Sequence, residues 1–100
     1  MNEINRNEKI TIGTTAETVS IRAGSNNTKR SSIIIINTST GGQVITLAVG
    51  AEAKNGEGIP LSPGGVWSDS MDGGYLPTQS HVTAISSLAD GTLALQERLV

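Results

Sequence analysis

Ser31-Ser32-Ile33-Ile34-Ile35-Ile36-Asn37 is the stretch on which the fold turns. Four consecutive isoleucines are β-branched and favour pleated sheet over helix, and the run is far too short to span a membrane. Side chains along a strand alternate sides, which sends Ile33 and Ile35 to one face and Ile34 and Ile36 to the other. A strand that is apolar on both faces needs cover on both. In a two-layer sandwich one of these faces would ordinarily meet water, so here it is expected to meet a loop, an arm or another subunit.

Working outward, residues 9–13 (Lys-Ile-Thr-Ile-Gly) alternate and read as a short first strand. Residues 17–23 place Val19, Ile21 and Ala23 opposite Thr18, Ser20 and Arg22, the pattern of a half-buried strand. Residues 24–28 are a polar loop. After the isoleucines, residues 37–42 (Asn-Thr-Ser-Thr-Gly-Gly) read as a hairpin connection and residues 43–49 as the returning strand. Residues 50–58 form a long polar loop. Pro60 lacks an N–H and confines residues 59–61 to an edge strand or an extended stretch. Pro63-Gly64 fits a type II turn, with proline fixing φ and glycine taking positive φ. Short strands are expected at 66–68, 74–76 and 81–86, with residues 69–74 a loop. Residues 92–99 suit either a helix, whose stripe is Leu88, Leu95 and Leu99, or a strand. The strand is preferred because a lone eight-residue helix is poorly supported.

Residues 1–8, polar around Ile4, read as an arm that frays or is laid across a neighbour, with the domain proper at 9–100. The chain is thus expected to be all-β: a single-domain antiparallel β-sandwich, jelly-roll-like, of about eight short strands.

The composition fits that reading. Among 100 residues there are eleven Ile, seven Leu, six Val and eleven Thr, but one Trp, one Tyr and no Phe. With twelve glycines and little aromatic bulk, the core is thin, and burial against identical subunits or a larger scaffold is expected. There is no cysteine, hence no disulfide framework and no thiolate metal site. A formal net charge of −2 argues against a nucleic-acid coat, and no apolar run is long enough for a membrane helix.

Motifs for chemistry are weak. His81, the single histidine, could share a triad only with Ser80 or Ser87 and Asp90, and no Gly-x-Ser-x-Gly elbow accompanies it. Asp69 and Asp72 sit in an acidic, glycine-containing loop without the spacing or distal glutamate of a calcium loop, and a solvated turn is expected. Gly56-Glu57-Gly58 lacks the Gly-Lys-Ser/Thr end of a phosphate loop. Lys29 and Arg30, with Arg22, form the local basic cluster; they read either as solvated charges or as contacts to an acidic partner. Trp67 and Tyr75 read as core plugs under loops or as stacking residues for a glycan or an interface. No cofactor and no catalysis are expected.

The order of motifs resembles a known group. Arg30-Ser31-Ser32-Ile33-Ile34-Ile35-Ile36-Asn37-Thr38-Ser39 is followed by Ile45-Thr46-Leu47-Ala48-Val49-Gly50 and by Gly58-Ile59-Pro60-Leu61-Ser62-Pro63-Gly64-Gly65. Val82-Thr83-Ala84-Ile85 and Gly91-Thr92-Leu93-Ala94-Leu95-Gln96-Glu97 complete the series. Over residues 30–97 this pattern is similar to small virion accessory proteins of tailed bacteriophages, of the capsid decoration (cement) and head-fibre type. The resemblance implies a non-enzymatic β-sandwich that trimerises and binds the major capsid protein on the head surface, after residence in the host cytoplasm. An adhesive or glycan-binding fibre module is the alternative it leaves open. Ile4, Ile34 and Ile36 are the expected subunit contacts; Trp67, Tyr75, Lys29 and Arg30 are the expected partner or glycan contacts.

Overall fold

The computed structural model describes residues 4–20, 30–70 and 78–99. Eight strands are present among them: β1 (Ile4–Ile12), β2 (Glu17–Ser20), β3 (Arg30–Asn37), β4 (Ile45–Val49), β5 (Ile59–Leu61), β6 (Val66–Ser70), β7 (Val82–Ser86) and β8 (Gly91–Leu99). One sheet runs β1-β8-β3-β6 and the other β2-β7-β4-β5, and every ladder is antiparallel. First and last strands pair with one another, and successive strands mostly change sheet, which is the jelly-roll arrangement of an eight-stranded sandwich.

The inner faces meet in a single aliphatic core. β3 contributes Ile33 and Ile35, β8 Leu93 and Leu95, and β1 Ile12; the second sheet answers with Val19, Ile45, Leu47, Leu61, Val82 and Ala84. Ile10, Ile59 and Trp67 close its rim. The alternation of the isoleucine strand is observed as expected, with Ile33 and Ile35 fully buried and Ile34 and Ile36 half-buried on the opposite face. The ambiguous tail is strand throughout.

The structure corrects two expectations. Residues 37–42 do not make a hairpin, because β3 and β4 belong to different sheets. The chain turns a corner there, and Asn37 builds it. Its Nδ2 donates to the carbonyls of Gln43 (2.8 Å) and Leu61 (2.7 Å), while its Oδ1 accepts from the Ser39 N–H at 2.9 Å. A fully buried amide with its hydrogen bonds satisfied thus steers the chain from one sheet to the other. Second, β1 starts at Ile4, so residues 4–8 of the expected arm are ladder, paired in register from Ile4↔Leu99 to Glu8↔Leu95. The strand expected at 74–76 lies outside the described residues, as does the 21–23 end of the second expected strand.

The two outer faces differ. On the β4–β7 sheet, Thr46, Thr83 and Ile85 point away from the core yet are buried, and the loop between β4 and β5 folds back over Thr46 and Thr83. Thr83 Oγ1 donates to the Ala51 carbonyl at 2.6 Å, the Gly50 N–H donates to the His81 carbonyl at 2.8 Å, and Ala53 is itself buried. Gly58 ends the loop at φ 129°, and a Cβ there would collide with the Leu47 carbonyl oxygen. The Pro63-Gly64 turn is formed as expected, with the Gly65 N–H donating to the Ser62 carbonyl at 2.7 Å.

Gly58→Ala is expected to destabilise the fold by about 2–4 kcal/mol, since it combines a disallowed φ with a backbone collision. Gly13→Ala, where an added Cβ meets nothing within 4 Å, should stay within about 0.5 kcal/mol of wild type. Urea unfolding of both variants checks the difference.

Candidate functional site

The candidate site is the outer face of the β1-β8-β3-β6 sheet. Register places Ile36 between Ala94 of β8 and Val66 of β6, and Ile34 between Gln96 and Ser68. Val66 is 56% exposed, and Ile34, Ile36 and Ala94 are half-buried, so an apolar patch stands open in the middle of the sheet. Around it lie Asn7 and Lys9 on β1 and Gln96 on β8, all exposed. The patch floors a shallow groove of about 520 Å³ bounded by Asn7, Lys9, Ile34, Ile36, Ala94 and Gln96. An apolar centre with a polar rim is an anatomy shared with protein interfaces.

The same strands are pinned from behind by a buried ionic cluster at one end of the sandwich. Arg30 is fully buried. Its Nε donates to Glu97 Oε2 at 2.7 Å, its Nη1 to the carbonyls of Thr78 (2.7 Å) and Ser80 (2.9 Å), and its Nη2 to Ser20 Oγ at 2.6 Å. Ser20 passes its own proton toward Glu97 Oε2 at 2.6 Å, and Arg6 Nη1 reaches Glu97 Oε1 at 3.3 Å. Gln79 clasps the Arg30 backbone at both N–H and carbonyl. Burial pushes the Glu97 carboxyl up, but hydrogen bonds from Ser20 and Arg30, the Arg30 charge and the Arg6 bond outweigh it. The carboxyl therefore titrates below its ordinary 4.5.

Two β-bulges assemble this cluster. The register shifts between Arg30 and Ser32 against β8, so Arg30 turns inward although strict alternation from Ile33 would turn it outward. A second shift between Thr18 and Ser20 brings Val19 and Ser20 both inside. Arg30, expected as a contact for a partner or as a solvated cation, is thus part of the interior, because the bulge at Ser31 reverses its side.

The remaining sequence candidates are dispersed. His81 precedes β7, whereas Ser87 and Asp90 follow it, a strand length of about 17 Å away. Ser80 is beside His81, but its carbonyl is held by Arg30. Asp69 lies in β6, where its Oδ2 accepts the Thr78 N–H at 2.9 Å rather than sitting in a solvated turn. Trp67 opposes Ile35 and packs against the core, which makes it a plug of the inner face. Asp72, Lys29 and Tyr75 lie outside the described residues; of Ile4 only the backbone pairing with Leu99 is described. The neighbours that complete the open patch, Val66 and Ala94, were not singled out from the sequence. Only the cross-strand register brings them beside Ile36.

Glu97→Ala leaves Arg30 buried without its carboxylate and is expected to cost about 3–5 kcal/mol in urea unfolding at neutral pH. Because the folded-state carboxyl titrates below its unfolded value, its contribution is complete above pH 4.5 and is lost as the pH falls through the lower folded value. Glu97→Gln should remove much of that acid-side slope, read as the urea midpoint against pH. No known protein family matches the chain, and no curated protein matches it in sequence.

Proposed function

We propose that this chain is a non-enzymatic viral structural protein, a decoration (cement) protein that binds a phage head surface as a trimer and stabilises the coat lattice. The observation that carries the proposal is the unequal treatment of the two outer faces. One is roofed by the chain's own loop, while the other presents Ile34, Ile36, Ala94 and Val66 with no loop drawn across them among the described residues. Leaving such a patch open costs solvation free energy in a chain whose core is already thin, and assembly recovers it. The jelly roll is in keeping with this role, although the fold by itself hosts many functions.

The mechanism is linkage. A protein that binds assembled coat but not its dissociated subunits stabilises the lattice by RT ln(1 + [L]/Kd) at each occupied site. A trimer multiplies that effect, since its second and third contacts form at high effective concentration. On this reading the protein resides on the virion surface and is held in the host cytoplasm before assembly.

Ile34→Asp/Ile36→Asp is expected to lose trimers and to weaken co-sedimentation with expanded phage heads at least about a hundredfold, because two apolar side chains worth about 1.5–3 kcal/mol each are replaced by charges. Circular dichroism should stay that of the wild-type sandwich, as neither side chain belongs to the core. Wild-type protein that remains monomeric and fails to sediment with either procapsids or expanded heads would refute the proposal.

A further inference from the structure

β1 is an edge strand, and its sequence is complementary to itself. Among the described residues no strand lies beyond it in the β1-β8-β3-β6 sheet. Edges invite pairing; of the others, β5 is interrupted by Pro60 and β2 by a bulge. β1 has nine residues, with neither proline nor bulge.

Inward-facing charges on an edge ordinarily deter pairing. Here the two are opposite in sign and two residues apart. Arg6 Nε donates to Glu8 Oε1 at 2.8 Å, and both side chains remain accessible, at 31% and 45%. Consider a second copy laid antiparallel along β1 about a twofold axis perpendicular to the sheet. For the core faces of both copies to stay on the same side, opposed residue numbers must sum to an even value. A sum of 12 places Arg6 against Arg6, and a sum of 16 places Glu8 against Glu8. A sum of 14 places Arg6 against Glu8 twice, Ile4 against Ile10, and Asn7 against Asn7 on the axis. Like charges directly opposed destabilise a pair and opposite charges stabilise it, so the two charges that penalise neighbouring registers select this one.

We propose that two copies of this chain pair through their β1 edges, antiparallel about Asn7, joining two four-stranded sheets into one of eight strands. The contact goes beyond the capsid reading and leaves Ile34, Ile36 and Val66 uncovered, so it can link assemblies built through the open face.

The chain has no cysteine, which makes a single introduced thiol a clean reporter. Asn7 and Thr11 are both exposed on the same side of β1. At the axis, Asn7→Cys sits about 4.5–5.5 Å from its own copy, within disulfide reach. It should give a covalent dimer under mild oxidation, whereas Thr11→Cys should not. The dimer should persist in the Ile34→Asp/Ile36→Asp background, which separates the edge contact from assembly through the face. Independently, Glu8→Lys should raise the dimer dissociation constant at least tenfold at low salt, by setting two cations across from each other in a residue exposed in the monomer. Absence of the Asn7→Cys dimer, equal cross-linking by Thr11→Cys, loss of the dimer in the Ile34→Asp/Ile36→Asp background, or an unchanged constant for Glu8→Lys would overturn the proposal.

Discussion

The buried carboxylate of Glu97 is the group on which the end of the sandwich depends. An ionised side chain can stay inside only when each of its oxygens is met by donors, and here they come from β1, β2 and β3. The arrangement spans both sheets, since Ser20 lies in one while Arg6, Arg30 and Glu97 lie in the other. Arg30 in turn gathers the carbonyls of Thr78 and Ser80, which fixes the approach to β7. Among the described residues no buried side-chain nitrogen or oxygen is left without a partner. Removing any one partner would leave a charge buried without its counterpart.

Asn37 performs the equivalent task where the chain leaves β3 for β4. Its amide holds the Gln43 and Leu61 carbonyls and so joins the β3 end to both neighbours of the corner. With polar anchors at each end, the middle of the sandwich can be filled by Ile, Leu, Val and Ala. This explains how a chain with a single tryptophan and a single tyrosine forms a closed interior. It also accounts for Trp67 lying at the rim of the core instead of its centre.

Alternation made the strands legible in the sequence. Ile33 to Ile36 divide between core and open face as their spacing dictates, and Pro60 and Pro63-Gly64 mark the edge and the turn that they should. What alternation cannot reveal is an extra residue. The bulge at Ser31 changes the side on which Arg30 lies, and the bulge at Val19 does the same for Ser20. Nothing local distinguishes these residues, because the reward for the irregularity is Glu97, dozens of positions away. Crossing between sheets is hidden for the same reason: Asn-Thr-Ser-Thr-Gly-Gly has hairpin chemistry, and only the long-range partners of Asn37 make it a corner. The open patch was half visible, through Ile34 and Ile36, while Val66 and Ala94 joined it through pairing alone.

The roofed sheet gives the molecule a front and a back. The tip of the β4–β5 loop, closed by the Glu57 N–H donating to the Lys54 carbonyl at 3.0 Å, is exposed on the side opposite the apolar patch. A peptide spliced between Asn55 and Gly56 would ride outward on that tip, on the far side of the sandwich from the apolar patch, because only the base of the loop, at Ala51, Ala53 and Gly58, is wedged against the sheet.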